Sequence, residues 1–171
     1  MATINGKQLM KYNSAMNFEH LIQINDLQNP LVEILTRDQL WTGLLHRVED
    51  ATPFLPGLER CTIVERHADY LMRELNFGSA IIHDRVTMEH GHWVRFDIQP
   101  SAQHAGGSLT ITIEEPEPGA LFLRFAYATT FAVAANSEER AYIEYVKSAY
   151  QQSDLDCVSV IRTLSAGGTL Q

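Results

Sequence analysis

One long amphipathic helix near the C-terminus, Asn136–Leu164, constrains the fold of this chain more than any other feature. At 3.6 residues per turn, one stripe of this helix holds Tyr142, Val146, Ala149, Ser153, Cys157, Val160 and Leu164. Asp154 and most charged positions fall off the stripe, toward water. Asn136 with Glu139 has the pattern of a capping box, and Gly167-Gly168 ends the helix. At about 1.5 Å per residue the helix is roughly 40 Å long, so a wide surface must cover its stripe.

That surface is predicted to be an antiparallel sheet. Six strand-like segments follow residue 59, at 60–67, 70–77, 80–89, 93–99, 108–115 and 120–129. Their short connectors force neighbouring strands to run antiparallel, because a parallel crossover needs about a dozen residues or more. The alternating segment Phe18–Asn25 adds a first strand.

Two short helices are expected between the first two strands. Thr36 is the predicted cap of the first helix, and Pro53 and Pro56 break it before a second short helix. We predict a flexible leader over residues 1–17, a single domain over 18–165 and a tail over 166–171. The fold class is therefore α+β, with seven antiparallel strands and a long C-terminal helix.

Turn residues predict the strand register. Gly78-Ser79 is typical of a two-residue hairpin, which pairs Phe77 with Ala80, Leu75 with Ile82, and Arg73 with Asp84. A three-residue loop at His90-Gly91-His92 keeps apolar residues opposite apolar residues, with Val86 facing Phe96. The last two strands then turn Leu109, Ile111, Ile113, Leu121, Leu123, Phe125 and Tyr127 inward, and Thr110, Thr112, Glu114 and Arg124 toward solvent.

The register predicts an ion pair between Arg73 and Asp84 on the inner face. One interpretation is a structural pair that neutralises itself inside the sheet. The other is a polar anchor for a ligand in an apolar cavity. The small residues Ala149 and Ser153 in the long helix also have two interpretations. They allow either close packing of the helix on the sheet or a void between them.

If a void exists, side chains on the inner face would line it. The pocket candidates are Trp41, Phe54, Arg73, Leu75, Ile82, Asp84, Phe96, Ile111, Phe125, Tyr127, Tyr142, Val146, Ala149 and Ser153.

Composition excludes several functions. The chain has 171 residues and a net charge of −8, which disfavours nucleic acid and anionic lipid as partners. It has no apolar run of the ~18 residues that a membrane span needs, so we expect a cytoplasmic protein, with Cys61 and Cys157 as reduced thiols. His90 and His92 are too few for a catalytic zinc site, and we expect neither metal nor cofactor.

Five stretches resemble one known family. They are LIQIND (Leu21–Asp26), LTRDQLWTGLLHRVEDATPFLPG (Leu35–Gly57), RELNFGSAIIHDRV (Arg73–Val86), GGSLTITIEEPEPGALFLRFAY (Gly106–Tyr127) and EYVKSAYQQSDLDCVSVIR (Glu144–Arg162). They are similar to the AtaL-like family of the START and birch-pollen-allergen-like (SRPBCC) superfamily. The resemblance implies a helix-grip fold, in which a seven-stranded sheet holds a long C-terminal helix around a hydrophobic cavity. It implies a pocket and no particular reaction.

Three functional hypotheses follow. The first is binding of a small hydrophobic ligand (aromatic, lipid or polyketide-like) in that cavity. The second is an enzyme of the polyketide cyclase or aromatase type using the Arg73/Asp84 pair, with Tyr127 or Tyr142 as further acid–base candidates. The third is a protein-interaction module without a ligand, and the sequence leaves homodimerisation open.

Overall fold

The computed structural model describes residues 12–102, 105–133 and 137–168, with side chains described for 17–102, 105–129 and 140–168. The elements in chain order are β1 (Tyr12–Gln23), α1 (Arg37–Glu49), β2 (Arg60–Arg66), β3 (Leu71–Asn76), β4 (Ile81–Glu89), β5 (Trp93–Ile98), β6 (Gly107–Glu117), β7 (Ala120–Val133) and α2 (Ser137–Ala166). The strands form one antiparallel sheet of seven, in the order β1-β7-β6-β5-β4-β3-β2. The predicted α+β class, with its seven-stranded sheet and long C-terminal helix, is confirmed.

The predicted registers are confirmed at two hairpins, and the predicted inward face is confirmed at a third. Arg73 pairs with Asp84 between β3 and β4, and the amide of Phe77 donates to the carbonyl of Ala80 across the tight turn. Gly78 has a φ of +84°, which the first central residue of a II′ turn requires and which glycine adopts without strain. Val86 pairs with Phe96 between β4 and β5, and Leu109, Ile111 and Ile113 pair with Tyr127, Phe125 and Leu123.

Helix α1 begins where the sequence predicts. The Thr36 side chain accepts a hydrogen bond from the amide of Gln39, and the Gln39 side chain accepts one from the amide of Thr36, which completes a capping box. The second short helix was a wrong prediction. The segment 51–57 instead forms turns, in which the amides of Phe54 and Leu55 donate to the carbonyl of Ala51. A helix does not form because Pro53 and Pro56 have no amide hydrogen to donate.

Strand β1 begins at Tyr12, six positions before the predicted start at Phe18. It pairs with β7 from Tyr12 to Gln23, so the predicted boundary of the leader at residue 17 is corrected. This long pairing overrides the low strand propensity of Asn13, Ser14 and Asn17. The rest of the predicted leader, residues 1–11, and the predicted cap Asn136 lie outside the described residues.

The buried stripe of α2 differs from the predicted one. Cys157 and Ile161 are fully buried, and Val158 is nearly so, in the main core between sheet and helices. Asp154 was predicted to face water but is 0% exposed, whereas Tyr142, predicted on the stripe, is 56% exposed and Ala149 is also exposed. The buried stripe of α2 is therefore rotated by about one residue from the predicted stripe. The prediction failed because hydrophobic periodicity assigns a carboxylate to solvent, whereas the structure buries Asp154.

The outer face of the sheet is polar at the predicted positions. Arg124 forms an ion pair with Glu114 on β6 and reaches Glu19 on β1. Across the part of the chain that the structure describes, no helix is both long and apolar enough to span a membrane.

Candidate functional site

A cavity of about 240 Å³ lies between the sheet and α2. Its walls come from α1, the turn after α1, strands β3 to β7 and α2. Most of the lining is apolar, with Leu75, Ile82, Phe96 and Leu109 among the residues in contact with the space. The polar groups of the wall are concentrated in two arginines, one aspartate and two tyrosines, and these determine the chemistry of the site.

The structure brings half of the predicted pocket residues together. Those lining the cavity are Arg73, Leu75, Ile82, Asp84, Phe96, Tyr127 and Ser153. Four others, Trp41, Phe54, Ile111 and Phe125, are buried in the core beside it. Tyr142, Val146 and Ala149 do not line it, because the first half of α2 turns these positions away from the space.

Several lining residues were missed from the sequence. They include Arg47, Leu55, Phe77, Ile98, Thr129 and Tyr150. One signal could have found Arg47, since it stands three residues after Leu44 and so shares the apolar face of α1. Tyr150 lies four residues before Asp154 on α2, and the misplaced stripe excluded both residues from the inner face.

The Arg73–Asp84 pair is built into the wall of the cavity. Both side chains are 2% exposed, and Nε and Nη2 of Arg73 donate to the two carboxylate oxygens at 2.9 and 2.5 Å. Nη1 of Arg73 donates to the carbonyls of Arg47 and Val48 at 2.9 and 3.0 Å. The guanidinium therefore neutralises Asp84 and also caps the C-terminal turn of α1, whose carbonyls lack helical partners.

A second buried arginine, Arg47, projects from that same turn of α1. Its guanidinium carbon lies 5.3 Å from the centre of the Phe96 ring, and that of Arg73 lies 4.9 Å from it. Arg47 is 6% exposed, and its Nη1 has no hydrogen-bond partner among the described residues. Burial raises the pKa of the neighbouring Cys157 thiol, and the positive charge of Arg47 opposes that rise.

A chain of polar side chains connects the cavity wall to the protein surface. The hydroxyl of Tyr127 donates a short hydrogen bond to Oδ1 of Asp154, and Nδ1 of His20 lies 3.4 Å from Oδ2. Burial raises the pKa of Asp154 to about 6, although Tyr127 and His20 both favour its ionised form. The His20 side chain is 21% exposed, so this chain runs from the cavity through a buried carboxylate to water.

Aromatic rings close one side of the cavity. Tyr127 and Tyr150 stack with their centres 4.0 Å apart and their planes 3° from parallel, and Phe18 packs beside both. Burial raises the pKa of both phenols, so both stay protonated at neutral pH. Flat, parallel rings of this kind offer a stacking surface to a planar ligand.

Within the described ranges, no group of three or more His, Cys, Asp and Glu side chains could hold a metal ion. The polar side chains at and beside the cavity are chiefly those of two arginines, two aspartates and the tyrosines.

A sheet that curves around one long helix, with a cavity between them, defines a protein of the helix-grip class. The family model described as "Acetylaranotin biosynthesis cluster protein L" (AtaL) matches residues 22–168. This chain belongs to the AtaL family. No curated protein matches the chain.

Solved structures share the fold at low identity. The Zhui aromatase/cyclase from Streptomyces sp. R1128 superposes with a TM-score of 0.61 at 13% identity, over 86% of this chain and 92% of that one. The di-domain aromatase/cyclase StfQ from the steffimycin biosynthetic pathway gives 0.63 at 14%, over 90% of this chain and 52% of its own. Ara h 8.0201 gives 0.61 at 12%, over 88% and 99%. Identities this low establish a common fold alone.

Proposed function

We propose that this protein binds a small hydrophobic ligand, with an aromatic or polyketide-like body, in the cavity between the sheet and α2. The observation that carries the proposal is the largely apolar cavity of about 240 Å³, closed on one side by stacked tyrosines. An engineered cavity of about 150 Å³ binds benzene, so this space is suited to a body of about two fused rings. Two of the structures with the same fold are described as aromatase/cyclases, which supports an aromatic or polyketide-like ligand.

Two serines on α2 provide a matched test. Ser153 lines the cavity, whereas Ser159 is exposed on the same helix. Ligands of one to three rings are screened by native mass spectrometry, and the affinities of those that bind are measured by calorimetry. Ser153→Phe fills part of the cavity and should weaken binding at least tenfold, whereas Ser159→Phe should leave it unchanged. Unchanged affinity in Ser153→Phe, or no ligand in the screen, would contradict the proposal.

A second candidate function is acid–base catalysis of cyclase type on the bound compound. The hydrogen-bonded chain from Tyr127 through Asp154 to His20 favours it. In this scheme an enol carbon of the ligand attacks a second carbonyl carbon of the same ligand, Tyr127 gives its proton to the oxygen of that carbonyl, and the enol O–H proton is released to water. Asp154 and His20 then return a proton from water to the phenolate. The Arg73–Asp84 pair is less suited to this role, because its groups already bond to each other and to α1.

Catalysis and binding can be separated by two variants. Tyr127→Phe removes the proton donor and keeps the ring stack, and Asp154→Asn removes the group that returns the proton. Both should keep ligand affinity within a few-fold and lose most of the turnover of a poly-β-carbonyl substrate, followed by the ultraviolet absorbance of the new ring. Full turnover in both variants would exclude this function and leave binding standing.

Two expectations about the setting accompany these functions. With a net charge of −8, we expect no nucleic acid among the partners. The cytoplasm remains the expected compartment.

A further inference from the structure

We propose that the ligand is an acid: a hydrophobic, aromatic body bearing one carboxylate, which Arg47 binds inside the cavity. This inference rests on the proposed binding function and adds the charge and the anchor of the ligand. It is carried by the contrast between two buried arginines on one cavity wall. Each nitrogen of the Arg73 guanidinium has a hydrogen-bond partner, whereas Nη1 of Arg47 has none among the described residues.

The first step concerns the charge of Arg47. A guanidinium stays protonated in proteins, so burial cannot neutralise this side chain as it can a lysine or an aspartate. A buried positive charge is strongly destabilising unless it is paired and hydrogen-bonded. At 6% exposure, Arg47 requires an acceptor from the protein or from a ligand.

The second step is that the protein supplies little. Within the described ranges, Nη1 of Arg47 has no hydrogen-bond partner, and no carboxylate oxygen lies within 4 Å of the guanidinium. The adjacent Cys157 thiol is a weak acceptor. Asp154 contributes a favourable field at a longer distance, but its two oxygens are engaged by Tyr127 and His20.

The third step is a comparison with Arg73. That arginine sits on the same Phe96 ring, yet it forms two bonds to Asp84 and two to the carbonyls of α1. The protein therefore provides an acceptor for every nitrogen of the Arg73 guanidinium and, among the described residues, none for Nη1 of Arg47. A carboxylate entering the cavity beside Arg47 would supply the missing acceptor, and guanidinium–carboxylate bonds are among the strongest in proteins.

The remaining cavity wall explains why the acid must be hydrophobic. Apart from its polar groups, the cavity lining is dominated by side chains such as Leu55, Phe77, Phe96 and Leu109. A hydrophobic acid places its ring system against these groups and its carboxylate against Arg47, whose Nη1 has no partner among the described residues. A small inorganic anion would satisfy the charge and leave the apolar walls uncovered.

The test compares two ligands of the same shape, 2-naphthoate and neutral 2-naphthylmethanol, by calorimetry on the full chain. We expect the wild-type protein to prefer naphthoate by about tenfold to a hundredfold, the range typical of a bond to a charged group. Arg47→Met should remove that preference, so that the two compounds bind the variant with affinities within about threefold of each other. Arg95→Met is the matched control, because Arg95 is an exposed arginine on β5, and it should keep the preference.

The outcomes separate the two proposals. Equal affinity for both compounds in the wild-type protein, or a preference retained in Arg47→Met, overturns the carboxylate site and leaves the binding function intact. Binding of neither compound contradicts both. The ratio of the wild-type affinities for naphthoate and the alcohol tests the carboxylate site even if Arg47→Met fails to fold. A second reading is the Nε–H resonance of Arg47, which should shift with naphthoate and not with the alcohol.

Discussion

The guanidinium of Arg73 binds the carboxylate of Asp84 through two parallel hydrogen bonds across β3 and β4, and both side chains are 2% exposed. This ion pair is one of two sets of hydrogen bonds that the Arg73 guanidinium makes at the wall of the cavity. The other set joins Nη1 of the same guanidinium to two carbonyl oxygens in the last turn of α1.

Removing one partner of this pair should strongly destabilise the fold. Asp84→Asn leaves Arg73 as an uncompensated buried charge, and we expect the free energy of unfolding to fall by about 3–5 kcal/mol. Urea denaturation followed by circular dichroism measures this. The double variant Arg73→Met/Asp84→Leu should be more stable than Asp84→Asn. Arg124→Met, which breaks a partly exposed ion pair, should change stability by less than about 1 kcal/mol. A loss below that level in Asp84→Asn would contradict a structural role.

Asp154 should make stability fall as pH rises from about 4 to about 6. Its pKa in the folded protein is about 6, above the ordinary value of 3.8, so the folded state holds a proton that the unfolded chain has released in this window. The contribution is fully present below about pH 4 and lost above about pH 6. His20 on β1, Tyr127 on β7 and Arg47 on α1 all face this carboxylate and limit the shift.

The measurement is the difference in unfolding free energy between the wild-type protein and Asp154→Asn, from pH 4 to 7. Asparagine stays neutral, so the wild-type protein should lose stability relative to the variant across this range. Parallel pH profiles for the two proteins would show that Asp154 does not titrate near 6.

Close packing of the two helices should forbid a side chain at Gly43. A Cβ at this position of α1 would lie 2.7 Å from Cγ2 and 2.9 Å from Cγ1 of Ile161 on α2. We expect Gly43→Ala to destabilise the protein by about 1–3 kcal/mol despite the better helix propensity of alanine. Ile161→Ala removes the clashing atoms, so a double-mutant cycle should show strong coupling, and additive effects would argue against the contact.

The capping box of α1 should contribute measurably to stability. Thr36→Ala removes the acceptor for the amide of Gln39 and should lower the free energy of unfolding by about 1 kcal/mol. Thr36→Ser keeps a hydroxyl and is the control, with stability close to wild type. Equal thermal stability in Thr36→Ala and Thr36→Ser would mean that the cap is dispensable.

The sheet could be predicted in detail because short turns determine register locally. The hairpin at Gly78-Ser79 and the three-residue loop at Gly91 set the pairing of every later residue in β3, β4 and β5, including Arg73 with Asp84. Helix α1 was located for the same reason, since Thr36 and the residues after it carry their own start signal. In these cases the information lies within a few residues of the feature.

The site was harder to predict because its polar groups meet only in the tertiary structure. Asp154 is satisfied by Tyr127, 27 positions earlier, and by His20, 134 positions earlier. No local sequence pattern indicates that Asp154 is buried. A buried face of α2 predicted with Asp154 in solvent is therefore rotated about the helix axis. The sequence pattern therefore predicts Tyr142 and Ala149 inside the cavity and does not predict Tyr150 or Arg47 there. The extension of β1 to Tyr12 likewise depends on its distant partner β7.

The bonds from Arg73 to the carbonyls of Arg47 and Val48 reach beyond stability. They fix the position of the main chain that carries the Arg47 side chain. The main chain beneath the proposed anion anchor is thus preorganised before any ligand arrives, and binding need only select a rotamer of one side chain. Loosening Arg73 would therefore weaken the recognition of the ligand carboxylate by displacing the main chain that carries Arg47.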